Sequence, residues 1–213
     1  MGTTRRGVIC DWAGVLTSPL ADSIRAWLHE DRLDPDHYHE VMRPYFDGSL
    51  ADANPVHALE RGEIETGAFE RDLALLLRRT DGRPISSEGL IQRMFARFHP
   101  VHDMYEALRT VRHGGSSTAL LSNSWGNGYP RSHFDTTFDE VVISGEVGMR
   151  KPEERIYLHT CERLGLRPQD CVFIDDLERN VRTAEGLGMA GILHTDTAST
   201  RQSLDLFLAA DPV

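Results

Sequence analysis

Five short apolar runs, each closing on a polar residue, constrain the fold of this chain more than any other feature. They are GVICD (7–11), TALLS (118–122), DEVVIS (139–144), CVFID (171–175) and MAGILH (189–194). Their length and branched side chains mark them as buried strands. Helical patterns or long connections separate the last four. One helix is expected from Pro152 to near Gly165, and another from about Leu177 to Leu187, stopping at Gly188. A helix carrying Met104, Leu108 and Val111 precedes the second run and ends at Gly114-Gly115. Such alternation predicts a parallel sheet covered on both faces, a Rossmann-like three-layer α/β core. A closing helix is expected over SLDLFLAA (203–210).

Between the first run and the others the pattern is wholly helical. Ser18-Pro19 and Asp34-Pro35 each pair a capping side chain with proline at the first helical position. The first of these helices can bury Leu20, Ile24, Trp27 and Leu28. The second can bury Tyr38, Val41, Met42, Tyr45 and Phe46. Thr66 is read as the cap of a helix with Phe69, Leu73, Leu76 and Leu77 on one face. Ser86 or Ser87 is read as the start of another with Leu90, Ile91, Met94, Phe95 and Phe98. The expected organisation is a core of residues 1–16 and 100–213 with an all-helical cap, residues 17–99, inserted after the first strand.

The chain has 213 residues, 40% of them hydrophobic, enough for one sizeable core and a smaller insert. Its 33 acids against 23 bases give a net charge of −10, which disfavours nucleic acid and acidic membranes as partners. No run reaches the ~20 apolar residues of a membrane span. The cysteines, Cys10, Cys161 and Cys171, have no metal-ligand spacing, and Cys10 and Cys171 read as small core residues. A cytoplasmic monomer or homodimer is the expectation.

In open parallel sheets, ligands bind beyond the carboxyl ends of the strands. Asp11, Ser122 and the pair Asp175/Asp176 fall there, and Lys151 lies in the connection after the third strand. Lys151 is the only lysine among the 23 basic side chains; the other 22 are arginine. A compact ammonium suits a crowded anionic centre better than a planar guanidinium fork. Asp11 can act as a nucleophile or a metal ligand. Asp175 and Asp176 add the carboxylates that magnesium prefers. Ser122 and the backbone around Asn123 can hold a phosphate oxygen, and Lys151 can neutralise the charge of phosphoryl transfer. Taken singly, an acid pair is more often a solvated turn and a serine more often a turn residue; only their common position reverses that.

The motifs DWAGV (11–15), LLSNS (120–124), GMRKP (148–152) and FIDDLERN (173–180), in this order, resemble the haloacid dehalogenase superfamily. LERGEIETGAFERDL (59–73) and the FIDD form are most similar to the phosphatase domain of soluble epoxide hydrolases and its bacterial relatives. The resemblance implies a magnesium-dependent hydrolase of a small phosphorylated molecule. Asp11 would be nucleophile and metal ligand, the Ala13 backbone carbonyl a second ligand and Asp176 the third, with Asp175 acting through water. Ser122, Asn123 and Lys151 would hold the phosphate, and Asn180 would orient Lys151. Trp12 and Trp125 directly follow site residues and are read as lining the substrate pocket, though aromatics beside a strand end are as often packing.

The chain departs from that pattern at residue 13. The usual phosphatase has a second aspartate there, which protonates the leaving group; here Ala13 cannot. His133, His37, His39 and His57 are candidate substitutes. The alternatives are a leaving group that needs no proton, or a phospho-ligand-binding protein of weak activity. DWAG also resembles phosphonoacetaldehyde hydrolase, but that enzyme needs a cap lysine and residues 17–99 contain none. A 2-haloacid dehalogenase is a more distant alternative, disfavoured by Ala13 and by the acid pair.

Overall fold

The computed structural model describes residues 5–48, 50, 53–126 and 128–210. Five parallel strands form one sheet in the order β3-β2-β1-β4-β5. They are β1 (Gly7–Cys10), β2 (Ser117–Ser122), β3 (Glu140–Ile143), β4 (Cys171–Asp175) and β5 (Ala190–Leu193). Val8 pairs with Thr118 on one side and Val172 on the other, and Cys10 with Leu120 and Ile174. The chain therefore runs outward from β1 through β2 to β3, then returns to the other side of β1. Asp11, the residue after β1, sits at that switch point, where open α/β sheets place their ligands.

Side chains alternate between the two faces of the sheet with the two-residue period of extended backbone. Val8, Cys10, Leu120, Val172 and Ile174 join one apolar cluster; Ile9, Ala119, Leu121 and Phe173 join the other. The first face is covered by α6 (His102–His113) and α11 (Thr197–Ala209), and the second by α9 (Glu154–Leu164) and α10 (Glu178–Gly186). This is the expected three-layer core. The central strand is apolar throughout because both faces are dry.

Five described helices lie between β1 and α6: α1 (Leu20–Glu30), α2 (Pro35–Phe46), α3 (Pro55–Glu60), α4 (Thr66–Leu76) and α5 (Leu90–Phe95). Two more, α7 (Phe134–Thr137) and α8 (Ser144–Val147), flank β3. Trp27, Leu28, Tyr38, Met42, Phe69, Leu73 and Met94 of the insert are buried in the same cluster as the α6 face of the sheet. Each leucine or methionine so buried contributes about 1.5–3 kcal/mol. No described helix is long and apolar enough to cross a membrane.

Several local expectations change. Asp34 caps α2 as expected, accepting from the His37 amide. Ser18 does not cap α1: Pro19 occupies the cap position, and the Ser18 hydroxyl pairs with Ser23 and accepts from the His99 amide. Thr66 is the first residue of α4 rather than its cap, and α5 starts at Leu90 after Gly89. Leu20, Phe46 and Leu76, expected to be buried, are exposed. Helix α3 has no counterpart in the sequence expectation. The closing helix begins at Thr197, where Asp196 accepts from the Ser199 amide. Residues 1–4 of the expected core lie outside the described residues.

Candidate active site

Strand ends bring the site together. Asp11 follows β1 and is fixed by its own amide, which donates to the Ile174 carbonyl at 2.9 Å. Lys151 is 2% exposed, and its Nζ lies 2.7 Å from Asp11 Oδ1 and 2.7 Å from Asp175 Oδ2. The Trp12 amide donates to the same Asp11 oxygen at 2.7 Å. Both contacts fall on Oδ1, so neither donor points to Oδ2. Carboxylate oxygens of Asp11, Asp175 and Asp176 lie within 4.8 Å of one another. Three acids around one ammonium leave this pocket formally negative.

Electrostatics record that imbalance. Burial is the main cause that pushes the Asp11 carboxyl up to about 7; Lys151 opposes it, and the charges of Asp175 and Asp176 add to it. Burial, then Asp175, pushes Asp176 up to about 6. Burial works against the charged form of Lys151, but the two carboxylates outweigh it and hold the ammonium well above the usual lysine range. A buried cation between two carboxylates is stable only in such geometry.

The acid pair divides its work. Asp175 is fully buried and saturated by donors: Lys151 on Oδ2, the Leu177 amide on Oδ1, and the Asn180 amide group on both. Asp176 is only partly buried and borders the cleft. Gly14 stands against it with a φ of +78°, where a Cβ would lie 2.3 Å from Asp176 Oδ2. The tight turn after Asp11 thus needs glycine for both conformation and space.

Asn123 contributes its side chain as well as its position. Its Nδ2 donates to the Lys151 carbonyl at 3.0 Å, and the Lys151 amide donates back to Oδ1 at 2.8 Å. This two-way clamp fixes the lysine main chain. Asn180 was expected to orient Lys151, and it reaches that lysine only through Asp175. Ser122 does not border the cleft. Its hydroxyl pairs with Tyr129 Oη at 2.9 Å, and Tyr129 also donates to the Asn123 carbonyl. Trp12 is not on the cleft wall either. It is 4% exposed, stacks on Phe98 at 5.8 Å and meets the edge of Tyr129 at 4.9 Å.

The cleft above Asp11 has a volume of about 580 Å³ and is bordered on the core side by Asp11, Ala13, Asn123, Lys151 and the run from Asp176 to Asn180, which includes Glu178 and Arg179. No histidine is among the described residues that line it. His133 packs against Tyr105, His37 bonds the Leu76 carbonyl and His39 the Pro35 carbonyl.

Sequence reasoning missed Glu60, which borders the cleft, and two residues behind it, Tyr129 and Arg150. Glu60, from α3, is 7% exposed; it accepts from Arg150 Nε at 2.5 Å and from Trp125 Nε1 at 3.3 Å. Arg61 reaches Glu153 at 3.3 Å. These bonds tie the insert to the loop that carries Lys151. The stretch 59–73, singled out as a motif, supplies both insert residues.

Comparison with known proteins identifies the family. Rat bifunctional epoxide hydrolase 2 is 31% identical over 110 residues, covering 48% of this chain and 20% of that protein. Flavin mononucleotide hydrolase 1 of Arabidopsis thaliana is 28% identical over 154 residues, covering 68% of this chain and 58% of that protein. The chain thus spans a fifth to three-fifths of the length of these relatives. A haloacid dehalogenase-family enzyme of Bacteroides thetaiotaomicron, solved with magnesium and inorganic phosphate, superposes with a TM-score of 0.64 at 20% identity, covering 90% of this chain and 94% of that one. That likeness shows the fold. The family model for haloacid dehalogenase-like hydrolases matches residues 6–188, which takes in β1 to β4, the helical insert and all four strand-end clusters. By that match the chain belongs to the haloacid dehalogenase-like hydrolases.

Proposed function

We propose that this hydrolase is a magnesium-dependent phosphatase of a small phosphorylated molecule, acting through an aspartyl-phosphate on Asp11. The observation that carries the reading is the Lys151 ammonium, 2.7 Å from both Asp11 and Asp175 in a buried pocket. The relative named as a flavin mononucleotide hydrolase and the neighbour holding magnesium and phosphate support it.

The residues fit magnesium. Three carboxylates converge within 4.8 Å, burial raises two of them, and such a set of oxygen donors favours a hard divalent cation. Asp11, Asp176 and the Ala13 carbonyl would hold the ion, with Asp175 behind, already saturated by protein donors. Bound there, the cation would supply positive charge to the transferring phosphoryl oxygens. Asp11 Oδ2, the oxygen left by Lys151 and Trp12, would attack phosphorus. Lys151 would hold Oδ1 and lower the repulsion between an anionic nucleophile and an anionic ester. Asn123 would keep Lys151 in place. Residues 17–99 would serve as a cap whose closure, latched by Glu60 and Arg150, excludes water.

Ala13 favours a second reading, a phospho-ligand-binding protein with little turnover. Hydrolysis of a generic aryl phosphate, with and without magnesium, separates the two. Under the phosphatase reading turnover requires the metal and disappears in Asp11→Asn. Unchanged activity in that variant would exclude the mechanism.

A further inference from the structure

The cleft has a polar floor and an apolar roof. Leu20, Ile24, Phe46, Met94, Phe95 and Trp125 make the roof, and all but Trp125 come from the helical insert. Phe46 and Trp125 lie parallel, 2° apart, with ring centroids separated by 6.4 Å. Two polar side chains of the insert reach the cleft, Tyr38 and Glu60. Glu60 is already bound to Arg150 and Trp125. A sugar or other polyol bound here would bury hydroxyls without partners, a costly arrangement. An apolar group would replace water with complementary surface.

The same cleft is poor in proton donors. Residue 13 presents a methyl group, and no described residue on the wall is histidine. Outside the cluster around Asp11, the titratable described groups that border the cleft are Tyr38, Glu60, Glu178 and Arg179, and an arginine keeps its proton. Burial pushes the Tyr38 phenol up to about 12. Glu60 is in a buried ion pair with Arg150, and Glu178 is exposed and paired with Arg182. The phenol is too weak an acid, and the two carboxylates are held by arginines.

We infer that the alcohol half of the substrate is apolar and aromatic: an aryl phosphate, whose oxide leaves without being protonated by the enzyme. This rests on the phosphatase reading above and names the class that reading leaves open. Asp11 Oδ2 forms a bond to phosphorus, and the phosphorus–oxygen bond to the ring oxygen breaks. Its electron pair departs with the aryl oxide, which takes a proton from solvent. Water then attacks phosphorus, the Asp11 oxygen is released as carboxylate, and inorganic phosphate leaves with the remaining protons shared with solvent. Leu20, Ile24, Tyr38 and Phe46 also border a second cleft, between α1 and α2, of about 1230 Å³.

The test is a matched series of phosphate monoesters with magnesium. Phenyl, 2-naphthyl and 4-biphenylyl phosphates vary ring area, 2-cyclohexylethyl phosphate is apolar but alkyl, and glucose 6-phosphate is polar. The expected kcat for 2-naphthyl phosphate exceeds that for the cyclohexylethyl ester by about 10²–10⁴-fold. KM should fall from phenyl to biphenylyl, and Phe46→Ser should raise KM for 2-naphthyl phosphate by about 10-fold. Equal kcat for the aryl and alkyl esters, a kcat/KM for glucose 6-phosphate as high as for 2-naphthyl phosphate, or an unmoved KM in Phe46→Ser would each overturn the aryl class. Those results still show turnover that Asp11→Asn abolishes, so the phosphatase reading survives them. If none of the five esters is turned over, that reading fails and this one with it.

Discussion

At residue 13 a methyl group stands two positions beyond Asp11 and borders the cleft. Space is therefore available for a larger side chain, and what the position lacks is a proton. Ala13→Asp should raise kcat on alkyl phosphates by about 10²-fold or more, the lower range of general acid–base assistance. Aryl phosphates should gain much less in their first step, because their oxide leaves unaided. Steady-state kinetics on one alkyl and one aryl ester would show the contrast; an equal gain on both would mean that the missing proton was not the obstacle. Asn123 is the second decisive residue. Its amide exchanges two hydrogen bonds with the Lys151 main chain. Asn123→Ala leaves a buried amide and carbonyl unpaired, costing about 1–3 kcal/mol, and loosens the lysine that faces Asp11. A tenfold or greater loss of kcat is the expected result, since displacement of about 1 Å in a catalytic group can cost 10²-fold. KM for the same ester would change less. A variant with lowered melting temperature and intact kcat would assign Asn123 to stability alone.

Among elements, α3 adds polar ties to the apolar packing that joins insert to core. Glu60 meets Arg150, Arg61 meets Glu153, and the turn that follows presses on α8. At Gly62, φ is +69° and a Cβ would come 2.6 Å from the Gly145 carbonyl oxygen. Both partners are backbone, so neither can rotate away. Gly62→Ala should destabilise the protein by roughly 1–2 kcal/mol from left-handed strain alone, with the clash added. It should also lower kcat/KM by tilting Glu60 off Arg150. Thermal melts and kinetics on the variant check both parts, and wild-type values would show that close approach at Gly62 is unimportant. Helix α3 also marks where sequence reading stopped. Asn54-Pro55 carries the same signal as Asp34-Pro35, and Asn54 does accept from the Val56 amide. Six residues are too few to display a helical period, so the signal had no run to confirm it. The strands were legible because parallel pairing makes each one apolar throughout. From there the clustering of Asp11, Lys151 and Asp175/Asp176 followed from strand order. Glu60–Arg150 and Ser122–Tyr129 were not legible, because the first joins residues 90 apart and the second depends on how a loop folds back. Ser18 misled for a related reason: its hydroxyl is drawn to His99, a partner 81 residues away.

For the molecule as a whole, the net charge of −10 includes a centre built from three carboxylates and one ammonium. Two of those carboxylates are raised by burial, Asp11 to about 7 and Asp176 to about 6. In the metal-free protein the folded state then holds protons that the unfolded chain has lost. Stability from these two groups is greatest below about pH 4 and declines as pH rises through 6 and 7. Magnesium should reverse that decline, because it binds the ionised forms and displaces their protons. The rise in melting temperature on adding magnesium chloride should therefore be largest near about pH 8, shrink between about 7 and 6, and vanish by about 5. Asp176→Asn should abolish most of the shift at every pH while leaving the metal-free melting temperature near pH 8 unchanged or higher, since it removes a carboxylate that is costly to ionise. A magnesium shift of constant size from pH 5 to 8 would place the cation elsewhere on this acidic surface, where carboxylates titrate near about 4. Asp11 and Asp176 would then have to be neutral or compensated by some other charge at the pH of catalysis.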